Sequence, residues 1–278
     1  MNTIEFSLVV WATSFLAGLL GALTGLGGAA ILVPVLTLWF HVHIHYAAGA
    51  ALVSVIATSS GAAAAYVKEG YTNIRIGMFL EIATTIGAVA GAYLATKTPV
   101  EGIAIILAVV LLYSGYVSGR PQPEHPEGVR PDPIAGTLRM HGTYPTPDGP
   151  RSYQVSSVKT GFGLMFGAGT LSGLLGIGSG AVKVLALDQA MKLPFKVSTT
   201  TSNFMIGVTA AASAGVYLRR GYIDPSLAMP VMLGVVAGSF LGAKLLAGAK
   251  TQLLRRIFAV VMVVMAIELI FNALTGRL

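Results

Sequence analysis

The chain has 278 residues, of which 54% are hydrophobic and 10% charged, with 34 glycines, no cysteine and a formal net charge of +7. Charged residues make up about a quarter of an ordinary soluble domain, so this chain has too few to cover a soluble surface. That excludes a soluble enzyme or binding module, and the missing cysteine excludes disulfide frameworks, thiol catalysis and cysteine-held metal sites.

A spanning helix needs about 20 consecutive apolar residues. Residues 6–40, 46–67, 102–119, 160–182, 197–218 and 225–243 contain no Asp, Glu, Lys or Arg, and blocks 76–96 and 257–276 carry one acid each, Glu81 and Glu268. Eight such blocks predict an all-α polytopic membrane protein whose partner is the lipid bilayer. Because no Lys or Arg precedes Lys68, block one lacks the basic flank of a cleaved signal peptide and is expected to stay in the membrane.

Block one is too long for one crossing. Residues 6–40 would form a helix of roughly 50 Å at 1.5 Å per residue, against about 30 Å of hydrocarbon. Thr24-Gly-Leu-Gly-Gly-Ala29 lies in its middle, and glycines in a helix interior mark a break. Broken backbone at membrane depth is tolerated where it is buried in protein or lines a cavity. His41, His43 and His45 follow. Their alternate spacing suits a strand, and with no carboxylate nearby an interfacial loop is preferred to a metal site.

Block two holds Thr58-Ser59-Ser60 at mid-span, and block three holds Glu81, either a proton relay or an interfacial acid. Residues 120–159 then change character, with eight of the 13 prolines, nine charges and no apolar run. They form an aqueous connector, in which alternation around Pro147-Asp148-Gly149-Pro150 suggests a small hairpin, against a disordered linker. Block five repeats the glycine break as Gly176-Ile-Gly-Ser-Gly180 and carries Lys183 in an otherwise apolar stretch. An intramembrane lysine is a functional-site candidate, against snorkelling or pairing with Asp188. Ser198-Thr-Thr-Thr-Ser-Asn203 opens block six after Pro194. One of these six residues is expected to cap the helix and others to face a cavity.

Slid by 151 residues, the second half lies on the first without a gap. Gly25 and Gly27 fall on Gly176 and Gly178, and Tyr66-Val-Lys-Glu-Gly70-Tyr71 falls on Tyr217-Leu-Arg-Arg-Gly221-Tyr222. The chain thus reads as an N-terminal transmembrane repeat, 1–119, a cytoplasmic connector, 120–159, and a C-terminal transmembrane repeat, 160–278. If blocks one and five dip in and return, twelve Lys and Arg share a side against four. If every block crosses, the split is ten against six. The positive-inside rule prefers the first arrangement. Each repeat then crosses an odd number of times, so the repeats are inverted and both termini face outside, a recurring transporter plan.

Gly25-Leu-Gly27-Gly-Ala-Ala30 and Gly176-Ile-Gly178-Ser-Gly-Ala181 fit a dinucleotide fingerprint, but no βαβ pattern surrounds them and no acid lies near residue 45. Net charge here is an orientation signal, so no nucleic-acid partner is expected. Gly87, Gly91, Gly238 and Gly242 have the spacing that lets helices approach closely. Neither HExxH nor Gly-x-Ser-x-Gly occurs, so no enzyme is expected, and no cofactor or metal. Exposed amides at the glycine breaks attract anions.

Gly21-Ala-Leu-Thr-Gly-Leu-Gly-Gly-Ala-Ala-Ile-Leu-Val-Pro34 resembles the first signature of the sulfite exporter TauE/SafE permeases, and Gly173-Leu-Leu-Gly-Ile-Gly-Ser-Gly-Ala-Val-Lys183 resembles the second. Thr200–Ala210, followed by Tyr217-Leu-Arg-Arg-Gly221, is similar to the same family. Leu185 departs from it, since the second signature often repeats the proline seen at Pro34. The resemblance implies a multi-pass carrier of the inner membrane for small sulfur-containing anions, such as sulfite or organosulfonates.

The expected function is therefore secondary transport of a small anion by alternating access, with a passive anion channel as the alternative. Substrate-binding candidates are Gly25, Gly27, Gly28, Thr58, Ser59, Gly176, Gly178, Ser179, Gly180, Lys183, Thr201, Ser202 and Asn203. The glycines would offer amides, Lys183 charge, and the rest hydrogen bonds. Oligomeric state is left open, with a homodimer as one option.

Overall fold

The computed structural model describes residues 3–24, 28–68, 70–119, 129–146, 149–246 and 251–275. Gly25, Gly27 and the Pro147-Asp148 turn lie outside the described residues. The first half comprises α1 (Thr3–Thr24), α2 (Ala29–Leu38), α3 (Ile44–Lys68), α4 (Ile74–Ala95) and α5 (Val100–Gly119). The connector holds α6 (Pro133–Thr137), β1 (Gly142–Thr146) and β2 (Gly149–Tyr153). The second half comprises α7 (Val158–Leu175), α8 (Gly180–Leu185), a π-helical turn (Ala186–Ala190), α9 (Phe195–Arg219), α10 (Pro225–Leu246) and α11 (Thr251–Thr275).

By length and composition, three helices among the described residues can cross a membrane in their segments Glu5–Leu23, Ile74–Ala95 and Pro225–Gly242. Shorter apolar helices are Ala29–Leu38, Ile44–Ser60, Glu101–Tyr116 and Met262–Thr275. The exterior differs from a soluble protein's in being largely apolar. On α4, Met78, Ile82, Ile86, Val89 and Tyr93 face outward, while Glu81 and Thr84 are buried. An apolar exterior around a partly polar interior is what a hydrocarbon solvent selects.

Element bounds recur at an offset of 151 residues. The 25-residue helices α3 and α9 begin at Ile44 and Phe195, and the 22-residue helices α4 and α10 begin at Ile74 and Pro225. Packing recurs at the same offset. A Cβ on Gly238 would strike the carbonyl of Phe15, and one on Gly87 would strike that of Phe166. Gly242 meets Leu19, and Gly91 meets Thr170, in the same way. Contacts that advance together in both helices make α1 parallel to α10 and α4 parallel to α7. The absent side chains let these backbones touch.

Both long apolar blocks double back. The rings of Phe6 and Phe40 lie 5.6 Å apart, edge to face, so the chain after α2 returns to where α1 begins. In the second half the Ser156 amide donates to the Met191 carbonyl at 3.2 Å, and the Met191 side chain packs on Gly161. The reversal has a local cause. Gly176, Gly178 and Ser179 take φ values of 67°, 68° and 49°, and a right-handed helix cannot pass through three left-handed residues.

The hairpin is present in the connector, with Gly142 opposite Tyr153 and Thr146 opposite Gly149. It is tied to the helices. Asp132 accepts from the Ile134 amide through Oδ1 and from the Val158 amide through Oδ2, each at 2.8 Å, capping α6 and the start of α7 together. Met140, Tyr144 and Val155 join Ile76, Leu80, Leu187 and Val197 in one buried cluster.

Candidate functional site

Asn73 caps α4, its side chain accepting from the Ile76 amide at 3.1 Å. Its own amide donates to Thr201 Oγ1 at 3.0 Å, which sets α4 and α9 side by side. Its Nδ2 donates to the Met140 carbonyl at 2.8 Å and to Tyr153 Oη at 2.7 Å, so one residue joins both helices to the connector. Burial raises the Tyr153 phenol above its ordinary pKa, with the Asn73 contact opposing. Eight residues further along each helix, roughly 12 Å deeper at 1.5 Å per residue, lie Glu81 and Thr209.

There the lone charge of α8 meets the lone acid of α4. Lys183 Nζ donates to Thr209 Oγ1, and the Thr209 hydroxyl donates to Glu81 Oε1. Lys183 Nζ lies 3.6 Å from Glu81 Oε2, and that oxygen has no hydrogen-bond partner. Lys183 and Thr209 are fully buried and Glu81 is 7% exposed. Each ion would be very costly alone in an apolar interior, so each requires the other. The positions 151 residues away are Leu32, Thr58 and Met232, which carry no charge.

Three buried hydroxyls near the α7–α8 break and on α9 lack partners: Ser172, Ser179 and Thr199. Ser179 starts α8 in a left-handed conformation without capping it. Ser202 Oγ donates to the Gly180 carbonyl at 3.3 Å, fixing the break against α9. Ser59 Oγ donates to the Asn203 carbonyl at 2.8 Å, and Asn203 Nδ2 reaches the Ala22 carbonyl at 3.5 Å, so α3, α9 and α1 meet here.

The remaining candidates divide. Thr58 Oγ1 donates to the Ser54 carbonyl at 2.8 Å, a bond back to its own helix. Gly28 is left-handed and buried against Ala17 at the start of α2. Gly176 ends α7 beside Ala48, and a Cβ on Gly178 would press on Ile206 and Val55.

One open alternative is resolved and one expectation is corrected. The partner of Lys183 across the break is Glu81, whereas Asp188 sits in the π-helical turn next to Gln189, whose Nε2 donates to it at 3.3 Å. No residue of Ser198–Asn203 caps α9. Pro194 holds the cap position, so the whole run lies inside the first turns and is buried. Thr209, which bridges Lys183 and Glu81, was not among the sequence candidates. The signal for the pair was present, because single opposite charges in two apolar blocks must be satisfied inside the protein.

A family model described as Sulfite exporter TauE/SafE matches residues 10–269. The chain belongs to the sulfite exporter TauE/SafE family. It is 27% identical over 231 residues to the "Probable membrane transporter protein YdhB" of Bacillus subtilis, covering 83% of this chain and 86% of that one. It is 25% identical over 266 residues to "Probable membrane transporter protein YunE" of the same species, covering 93% and 95%. A "Probable membrane transporter protein" of Xylella fastidiosa is 25% identical over 276 residues, covering 98% and 97%. No solved structure matches the chain significantly. Both Lys183 and Glu81 fall inside the residues matched by the TauE/SafE model.

Proposed function

We propose that this protein is a secondary transporter of the cytoplasmic membrane that moves a small sulfur-containing anion, such as sulfite or an organosulfonate, by alternating access. The carrying observation is Lys183, a fully buried cation beside a helix break. A cation held out of water attracts an anion that has lost part of its hydration, and hydroxyls and amides supply the rest. Lys183 would supply charge, Gly176, Gly178, Ser179 and Gly180 backbone amides and a hydroxyl, and Thr201, Ser202 and Asn203 further hydrogen bonds. Gly28, Thr58 and Ser59 would form the corresponding wall in the first half, and Gly25 and Gly27 are carried as candidates from the sequence alone.

The two halves act in this reading as inverted repeats, 1–119 and 160–278, joined by a cytoplasmic connector, 120–159. The doubled-back blocks support it, because each half then makes three full crossings through its last three long helices. The twelve-to-four division of Lys and Arg supports it too. Rocking one half against the other would open the site alternately, with Ser59 and Asn203 on the surface that must slide.

The test is a thermal-shift screen of purified protein against sulfite, sulfate, sulfoacetate, taurine and simple carboxylates, followed by counterflow in proteoliposomes. Stabilisation by sulfur oxyanions with saturable counterflow supports the reading. Single-channel current would replace the carrier with a pore, and stabilisation by carboxylates alone would replace the substrate class. Reporter fusions at residue 278 and inside the connector test orientation, and a cytoplasmic carboxyl terminus would overturn the inverted repeat.

A further inference from the structure

We propose that Glu81 is a proton-binding site that couples anion entry to proton uptake, so that the protein carries one proton with each singly charged anion. The inference rests on the anion-transport reading. As built, the Lys183 charge is already neutralised by Glu81 Oε2 at 3.6 Å. An anion seated on Lys183 would put two negative groups around one cation in a site from which water is excluded, and like charges in such a place cannot both persist. A proton on Glu81 removes the conflict. Lys183 is then freed for the anion.

The local bonding suits that exchange. Glu81 Oε2 has no hydrogen-bond partner, so one oxygen is open to a proton while the other is held by Thr209. Thr209 accepts from Lys183 and donates to Glu81, so it senses both groups through a single hydroxyl. Thr85 Oγ1 reaches Glu81 Oε1 at 3.5 Å from the same helix. The ionisable groups on the elements packed around α4 are few. Lys159 lies in the first turn of α7, Lys196 and Arg219 at the two ends of α9, and Asp188 in the π-helical turn. Tyr217 on α9 is committed to the Gly173 and Leu174 carbonyls. Among the described residues, Lys183 is the cation within ion-pair distance of Glu81.

Isethionate is the decisive probe, because a sulfonate keeps a single negative charge at any working pH and takes up no proton itself. Anion is added to the purified full-length protein in weakly buffered detergent solution, with protons read by a pH dye and binding by calorimetry. The same experiment is run with the sulfur oxyanion that most stabilises the protein, corrected for its own titration. The expected result is about one proton taken up per anion bound. By linkage, affinity should then fall about tenfold per pH unit once Glu81 is ionised in the free protein. Glu81→Gln should bind without proton uptake and with pH-independent affinity. Anion binding to the parent protein with no proton uptake and no pH dependence would overturn the proposal and leave the transport reading standing. That count needs no variant, so it decides the matter even if Glu81→Gln does not fold. Failure of every sulfur anion to bind either protein would instead remove the transport reading, and this proposal with it.

Discussion

The halves of the molecule share a scaffold but not a chemistry. In both, a block doubles back, and glycines hold α1 on α10 and α4 on α7 at positions 151 residues apart. At the two breaks the halves diverge. The break in the second half has Lys183 and Thr209 in contact with Glu81, which α4 of the first half supplies, and a buried polar run from Ser198 to Asn203. The corresponding positions at the first break are Leu32 and Thr58, with Met232 from α10 of the second half, and the apolar run Ala47-Ala-Gly-Ala-Ala-Leu52. Close backbone packing places the same demand on both halves, so both keep the glycines. A buried charge needs a partner, and one charged site is enough to bind one anion. The comparison therefore separates residues that build the frame from those proposed to recognise cargo.

The sharpest way to break the comparison is to delete the charge in one half and its counterpart in the other. Lys183→Met should abolish transport. It also strands Glu81 without its cation, so unfolding measurements should show a loss of about 3–5 kcal/mol. Adding Glu81→Gln should restore stability but not binding. Leu32→Met, a swap of similar volume, should cost under about 1.5 kcal/mol and leave transport intact. Equal losses at Lys183 and Leu32 would mean that the halves are functionally alike.

Next in size are the glycines. Gly87→Ala and Gly238→Ala each push a methyl group into a facing carbonyl and should lower stability alike, by about 1–3 kcal/mol, with normal activity per folded molecule. Gly178→Leu should act differently. Its left-handed backbone resists a side chain by about 1–2 kcal/mol, and the added bulk points at Ile206. Transport per folded molecule should fall at least tenfold. Unchanged specific activity would remove the break from the site.

Smaller effects come from the two threonines. Thr209→Val leaves Lys183 and Glu81 each short of a hydrogen bond and should cost about 1–3 kcal/mol with weakened transport. Thr58→Val loses a bond to its own helix and should cost less than about 1 kcal/mol. Chemical denaturation of the two variants side by side measures the difference.

Much of this frame was legible in the sequence. Gly176-Ile-Gly-Ser-Gly180 marks its own break, because few residues other than glycine tolerate a left-handed backbone. The 151-residue offset could be read because a charged tyrosine-glycine turn recurs in register, and α3 and α9 begin at positions it relates. That Lys183 needs a buried partner was legible, but which acid supplies it was not. Asp188 is five residues away along the chain, whereas Glu81 lies on another helix and is brought near by the packing of α4 against α9. The α9 cap was misjudged for a similar reason. Six hydroxyl and amide side chains in a row suggest a helix start, yet the interior packed around that helix makes room for all of them.

The most direct test of the account is the affinity of the double variant Lys183→Met/Glu81→Gln for the sulfur anion that most stabilises the parent. The variant removes both charges together, so it should fold without a stranded ion. The account predicts binding at least about tenfold weaker than the parent's by calorimetry, a difference of about 1.4 kcal/mol. Equal affinity in a well-folded sample would show that the anion does not use this pair, and would contradict the placement of recognition at the Lys183–Glu81 pair.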